Sequence, residues 1–355
     1  MIGVVLHFYG SPPTLADVRE FYARIVHREH SEEKVARLLE QYRAYGRPAP
    51  LGATVERIQR FLEERLNRPS SAVKLQAGGQ AGPREGRYLV RRAGKNAPPW
   101  VGDAVAELVE EGVTAIVSLP LTPFGSKLGS ENYHRSVRRA LEALGCRPVD
   151  LSPGASPLVD EAAMEGRTVG VIPVERWYWH ELFLKASALR LGQAVAWLPE
   201  DLRPFTAVVF TIHSMPEAEV GEVPRLPDQY RLWAEETARR VGISHWMLSY
   251  RSAPSGSDKW LGPDVREVIR EVAARGFKAV VVCPVPTLIE NVEVFQETGE
   301  DAQEAARQCG LEFVRTELLN DSADMLDLLE SLVREAVDQA QPTGGASRGA
   351  FGRVR

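Results

Sequence analysis

A chain of 355 residues, 44% hydrophobic and 26% charged, has the composition of a globular protein and room for two ordinary cores. Its net charge of -5 has the wrong sign for a nucleic-acid binder, and its longest apolar runs are strand-sized, too short for a membrane span. Cys146, Cys283 and Cys309 are odd in number and widely spaced, which argues against a disulfide framework, a zinc ribbon or a cysteine-held iron–sulfur cluster and for reduced structural thiols.

In chain order, strand-like runs are expected at 3–8, 114–121, 168–174, 207–212, 245–250, 279–285 and 311–314. Helical patterns lie between them at 15–28, 31–42, 55–66, 100–111, 131–144, 180–192, 228–241, 263–274, 301–309 and 322–340. Asp264, and Asp321 with Ser322, read as helix starts. The first run carries no basic region or small-residue cleavage pattern, so no signal peptide and a cytoplasmic location are expected. Alternation of strand and helix predicts parallel sheets with right-handed crossovers, in two similar halves joined between Ser152 and His180. The rhythm breaks at 70–95 and 152–167, which read as long loops or insertions, and the tail at 341–355 has a disordered composition.

The run Ala207 to Ile212 ends in His213-Ser214-Met215-Pro216, so an imidazole emerges at the carboxyl end of a buried strand, where open α/β sheets bind ligands. The later run from Ala279 exits into a loop bearing Glu290, Asn291 and Glu293. A His and a carboxylate on neighbouring strand ends can share a proton or a metal ion. Taken singly, each feature is weak: a lone His is as often a satisfied core residue, and Glu290 with Glu293 reads as a solvated face. Tyr9-Gly10-Ser11-Pro12 and Trp260-Leu261-Gly262-Pro263 are, alone, aromatic turns after or before regular elements.

Together and in order, these segments resemble the ferrochelatase family, which inserts ferrous iron into a porphyrin in haem synthesis. His213 to Pro216 resembles the family's His-Ser-x-Pro. Arg251-Ser252, Gly256 and Trp260 to Pro263 resemble its Gln-Ser…Gly…Trp-Leu-Gly-Pro, and Asn291-Val292-Glu293 resembles its His-x-Glu. Trp177-Tyr178 and the stretch from Leu311 to Asn320 are similar as well, as are Tyr9 to Pro12, Tyr42…Gly46…Pro50-Leu51 and Pro123…Ser126…Tyr133 in the first half.

The resemblance implies two Rossmann-like domains, 1–175 and 176–340, each a parallel sheet flanked by helices, with a porphyrin cleft between them. It implies His213 and Glu293 as catalytic and metal-binding residues. Tyr9, Tyr42, Tyr133 and Trp260 would bind porphyrin, with Asn291, Arg251 and Glu290 behind them. Members that act on coproporphyrin III carry a Tyr at the position of Tyr9, which points to that substrate, as does the small, polar Ser11 to Thr14. Ferrous iron is then a substrate, haem-pathway enzymes are candidate partners and the chain is expected to be a monomer. Metallation must take two protons from the macrocycle while delivering a dication, which suits an imidazole and a carboxylate. Glu293 is expected to pass pyrrole protons to solvent through Glu290 or Glu297.

The sequence departs from the family at Asn291 for His, Phe124 for His and Arg251 for Gln. It also loses a Ser in the turn at Gly46 to Leu51, and reads Val26-His27-Arg28 where a basic pair is expected. Two other readings follow: a porphyrin or haem carrier of the same fold that does not chelate, and an unrelated two-domain binding protein.

Overall fold

The computed structural model describes residues 1–26, 32–45, 50–69, 87–152, 166–221, 224–253 and 259–340. The expectations for His27-Arg28, the turn from Gly46 to Ala49, residues 70–86 and 153–165, Gly256 and the tail from 341 lie outside these residues.

Two parallel sheets form the frame. The first has strands β1 (Ile2–Phe8), β2 (Tyr88–Gly94), β3 (Ala115–Pro120), β4 (Arg147–Asp150) and β5 (Thr168–Pro173), in the order β2-β1-β3-β5-β4. The second has β6 (Thr206–His213), β7 (Trp246–Arg251), β8 (Ala279–Cys283) and β9 (Glu312–Arg315), in the order β7-β6-β8-β9. All their pairings are parallel, as the alternating pattern requires. The helices in chain order are α1 (Val18–Val26), α2 (Glu32–Ala44), α3 (Pro50–Leu66), α4 (Val101–Glu110), α5 (Asn132–Ala143) and α6 (Glu181–Trp197). They continue with α7 (Leu226–Val241), α8 (Val265–Ala274), α9 (Val292–Val294), α10 (Ala302–Gln308) and α11 (Ala323–Ala340).

A sheet buried on both faces needs helices on both. The first sheet has α4 and α5 on one face, over Val5, Ile116, Val169 and Val171. Its other face, with Val4, Leu6 and Val117, is covered by α3 and by α11 from the far end of the sequence. The second sheet packs α8 and α10 on one face, over Val209, Val280 and Val282, and α6 and α7 on the other. Because α11 touches α3, β3, β5 and α6, one continuous apolar core runs from Leu6 through Leu328 and Leu329 to Phe210.

Two strands depart from the expectation. Residues 88–94, read as part of a long loop, form β2 at the sheet edge. Their apolar run is short because Arg91 and Arg92 interrupt it. Those cations are held by Glu63, Glu107 and Glu56, and charge on an edge strand blocks further pairing. The opposite edge, β4, contains a Pro and is too short to stand out from its neighbours. Asp264 is a helix cap as expected, its Oδ1 accepting from the Arg266 backbone N–H at 2.9 Å.

Candidate active site

In each sheet the first strand in sequence lies between later neighbours: β1 between β2 and β3, β6 between β7 and β8. These are the points where strand order reverses, and the loops at the carboxyl ends diverge to leave a crevice. The first such end carries Tyr9, the second His213. Gly10 has φ 93°, and a Cβ there would lie 2.9 Å from the Ala97 backbone nitrogen, so the turn after Tyr9 needs glycine. The Asn96 N–H donates to the Tyr9 carbonyl at 3.1 Å and fixes the loop.

His213 closes β6 with its ring about half exposed. Its Nδ1 lies 2.6 Å from the Ser214 carbonyl oxygen, which accepts the ring N–H and leaves Nε2 with a free lone pair. That Nε2 is 3.7 Å from Glu293 Oε2. The loop behind His213 is stitched to the Trp260 segment. The Ser214 hydroxyl donates to the Leu261 carbonyl at 2.6 Å, the Leu261 N–H donates to the Met215 carbonyl at 3.0 Å, and Pro216 bridges Trp260. The two motifs are therefore one piece of structure.

Glu293 stands on a braced platform. Asn291 caps α9: its Oδ1 accepts from the Val294 N–H at 3.0 Å, so its amide orders the turn that presents Glu293. The segment Phe295–Asp301 continues as a wide, π-type turn, a feature frequent at functional sites and missed in the sequence, where the helix is expected only from 301. Arg251, 3% exposed, donates to Glu297 at 3.2 Å and to Thr287 Oγ1 at 2.8 Å. Ser252, in the left-handed region at φ 63°, donates to the same Glu297 at 2.6 Å. Glu290 makes a two-point pair with Arg315 at 3.0 and 2.8 Å. Both carboxylates expected to relay protons are thus engaged by guanidinium groups and act as braces. Glu297→Ala leaves the Arg251 guanidinium buried without its counter-charge. We expect a loss of about 3 kcal/mol in urea unfolding, most of it recovered in Arg251→Gln/Glu297→Gln. A loss under about 0.5 kcal/mol contradicts the bracing role.

The facing wall comes from the first half of the chain. Tyr42 on α2 is buried with Val18 against Val292, the neighbour of Glu293, and the Tyr45 and Phe295 rings meet at 4.8 Å. Burial and then the Glu293 carboxylate raise the phenols of Tyr9 and Tyr42 above their ordinary range; Tyr133 and Tyr42 add to the effect at Tyr9. Burial raises Tyr133 as well. Tyr9, Tyr42 and Glu293 therefore feel one another across the crevice. Phe124, standing where the family has His, is 4% exposed and packs into the core with Tyr178, Tyr230 and Trp233, at centroid distances of 5.8 to 6.4 Å.

Behind Tyr133 lies a polar group the sequence reading passed over. His7, fully buried in β1, sits 5.0 Å from the Tyr133 ring and 2.9 Å from Ser118 Oγ. Its polarity was visible inside the apolar first run, but its partners are more than a hundred residues away. Burial, then the nearby His134, lowers its pKa well below the ordinary value. An imidazole kept neutral when folded binds a proton more readily when unfolded, so its effect on stability is absent above pH 6.5 and grows as pH falls below it. We expect wild-type stability to drop between pH 6.5 and 5 more steeply than that of His7→Leu, by up to about 1.4 kcal/mol per pH unit in urea unfolding. Equal slopes rule out a neutral, buried His7.

Comparison with known proteins agrees with this architecture. The ferrochelatase family profile matches residues 1–337. The coproporphyrin III ferrochelatase of Geobacillus kaustophilus is 26% identical over 337 residues, covering 93% of this chain and 94% of that one. The ferrochelatase of Thermus thermophilus is 29% identical over 338 residues, covering 94% and 99%. Among solved structures, SirB from Bacillus subtilis with Fe3+ shares the fold, with a TM-score of 0.52, 12% identity and coverage of 94% and 95%. With a family match over nearly its whole length and a His–Glu pair beyond the carboxyl ends of the second sheet's strands, the chain belongs to the ferrochelatase family, whose members insert ferrous iron into a porphyrin in haem synthesis.

Proposed function

We propose that this chain inserts ferrous iron into coproporphyrin III, with His213 and Glu293 on one face of the macrocycle and Tyr9, Tyr42 and Tyr133 along the other. The observation that carries the reading is the His213 Nε2 to Glu293 Oε2 approach of 3.7 Å at the strand ends of the second sheet. With Nδ1 donating to the Ser214 carbonyl, Nε2 is the available base and accepts a pyrrole proton as the metal enters. Glu293 offsets the charge of the arriving dication, whose isolated burial is costly. A pair of donors, unlike a closed cage, leaves coordination positions for water and pyrrole nitrogens.

Coproporphyrin III is favoured for two reasons. Tyr9 occupies the position that holds a Tyr in family members acting on that porphyrin, and the Geobacillus kaustophilus relative bears that substrate's name. The segment beside Tyr9 also exposes Pro13 and Thr14 rather than a large apolar lip of the kind that would admit a more lipophilic porphyrin. The departures at Asn291 and Phe124 leave the pair itself intact, because one caps α9 and the other fills the core. Division into units at 1–175 and 176–340 belongs to the same reading: strands β1 to β5 precede the boundary, β6 to β9 follow it, and α11 ties the two together. The reading is of a monomer, since each chain supplies both walls.

The test is anaerobic iron insertion by purified protein, followed by visible absorbance, with coproporphyrin III and protoporphyrin IX in parallel. Faster metallation of coproporphyrin III supports the proposal. Preference for protoporphyrin IX overturns the substrate, and tight binding of either without metallation identifies a carrier.

A further inference from the structure

A chain of polar side chains crosses the core of the first half and takes no part in the chemistry at His213 and Glu293. His7 Nε2 lies 2.9 Å from Ser118 Oγ, which lies 2.8 Å from His134 Nδ1, and His134 Nε2 lies 3.2 Å from Glu175 Oε1. His7, Ser118 and His134 are at most 2% exposed, whereas about a third of the Glu175 side chain meets solvent. At the inner end, the His7 ring rests against Tyr133, and its Nδ1 is buried with no hydrogen-bond partner among the described residues.

Hydrogen-bond bookkeeping gives the chain a direction. An ionised carboxylate only accepts, so His134 Nε2 carries the proton at the Glu175 end. His134 Nδ1 then accepts from the Ser118 hydroxyl, whose oxygen accepts from His7 Nε2–H. Each neutral ring has one N–H, so His7 Nδ1 is left as a bare lone pair, a base at the inner end. The contact to Glu175 is bent away from good alignment, and Glu175, just beyond β5, is the exposed partner able to turn. The His134 ring beside it also holds the Glu175 carboxyl below its ordinary range, consistent with an anionic terminus. Burying two imidazoles and a hydroxyl is unfavourable unless they are paired, and apolar side chains would fill the same space without that cost.

We propose that His7, Ser118, His134 and Glu175 form a proton exit from the tyrosine-lined face of the cleft, opposite His213 and Glu293. This rests on the chelatase reading above. A pyrrole proton released on that face reaches His7 Nδ1 by way of the Tyr133 hydroxyl or water. The Nε2 proton of His7 passes to Ser118 Oγ, the Ser118 proton to His134 Nδ1, and the His134 Nε2 proton to Glu175 and then to solvent. One proton enters, one leaves, and the chain resets by rotation of the hydroxyl and return of the tautomers. Among the described residues, Arg138 and Arg176 face Glu175, His134 faces His7, and Lys95 sits 5.9 Å from the Tyr133 ring centroid. Metallation releases two protons, and two exits on opposite faces let neither wait for the other.

The test compares wild type with Ser118→Ala, which breaks the chain at its narrowest point, and Glu175→Gln, whose amide oxygen still accepts from His134 but takes no proton. In both, kcat for iron insertion falls about 10-fold while KM for the porphyrin is unchanged, and added imidazole restores part of the rate. A structural role alone would not give rescue by a small diffusible base. If Ser118→Ala fails to fold, Glu175→Gln at the protein surface decides the matter. Wild-type kcat in Glu175→Gln from pH 6 to 8 overturns the exit. The polarity is read separately by nitrogen-15 NMR of the porphyrin-free protein, which shows His7 protonated at Nε2; protonation at Nδ1 also overturns the proposal. That spectrum can be recorded even if the wild type metallates no porphyrin, so failure of the exit and failure of the chelatase reading give different results.

Discussion

His213→Ala reduces iron insertion by about 10²- to 10⁴-fold while porphyrin binding and thermal stability stay near wild type. The imidazole ends β6 about half exposed, so removing it opens no cavity and loses little packing. What is lost is chemical. Nε2 is the one unprotonated ring nitrogen at the second strand end, because Nδ1 is committed to the Ser214 carbonyl. Without it, a pyrrole proton leaving on that face must go to water, and the incoming ion loses a donor. His213→Gln separates the two functions: an amide oxygen can still meet a cation but accepts no proton near neutral pH, so it is expected to stay as inactive as alanine if base catalysis dominates. Stopped-flow metallation with equilibrium porphyrin titration distinguishes these cases. A rate within threefold of wild type in His213→Ala would remove the residue from the reaction.

Glu293→Gln is the second large effect, expected at about 10²-fold in kcat, with a smaller change in porphyrin affinity. The substitution preserves volume and removes the charge. Two consequences follow from the observed geometry. The neutral amide 3.7 Å from His213 Nε2 no longer supplies a negative charge to offset the dication arriving beside the imidazole. The phenols of Tyr9 and Tyr42, held up in part by this carboxylate, ionise at lower pH. The second consequence can be measured without turnover, by ultraviolet pH titration of the tyrosines. Glu293→Gln with an unchanged tyrosine titration would mean that the two walls of the cleft are farther apart than in this structure. Full activity in the same variant would shift the assignment to another carboxylate. Glu290 and Glu297 are poor substitutes, since Arg315 and Arg251 hold them.

Local chemistry made the class of fold legible in the sequence. A buried parallel strand must be a continuous apolar run, and β6 and β8 are β-branched runs that no other element explains. The exit of His213 from such a run, and the Trp260 to Pro263 turn, are equally local. The edge strands were hidden for the converse reason: β2 and β4 have a free side, tolerate Arg and Pro, and lose the apolar signature. The π-type turn at Phe295–Asp301 was hidden because its pattern does not differ from that of an ordinary helix.

By itself, the sequence determined that two parallel α/β units exist and which strand ends carry a His, a Glu and a Tyr, because each depends on residues adjacent along the chain. Only the tertiary structure decided what those residues meet. Asn291, two residues before Glu293, caps a turn instead of contacting it; Arg251 braces Glu297 from a neighbouring strand end; α11 closes the first sheet from the opposite end of the sequence. His7, Ser118, His134 and Glu175 line up across β1, β3, α5 and the end of β5. Such contacts are set by sheet order and by the cost of leaving a buried charge or hydrogen-bonding group unpaired, and neither is written in local spacing.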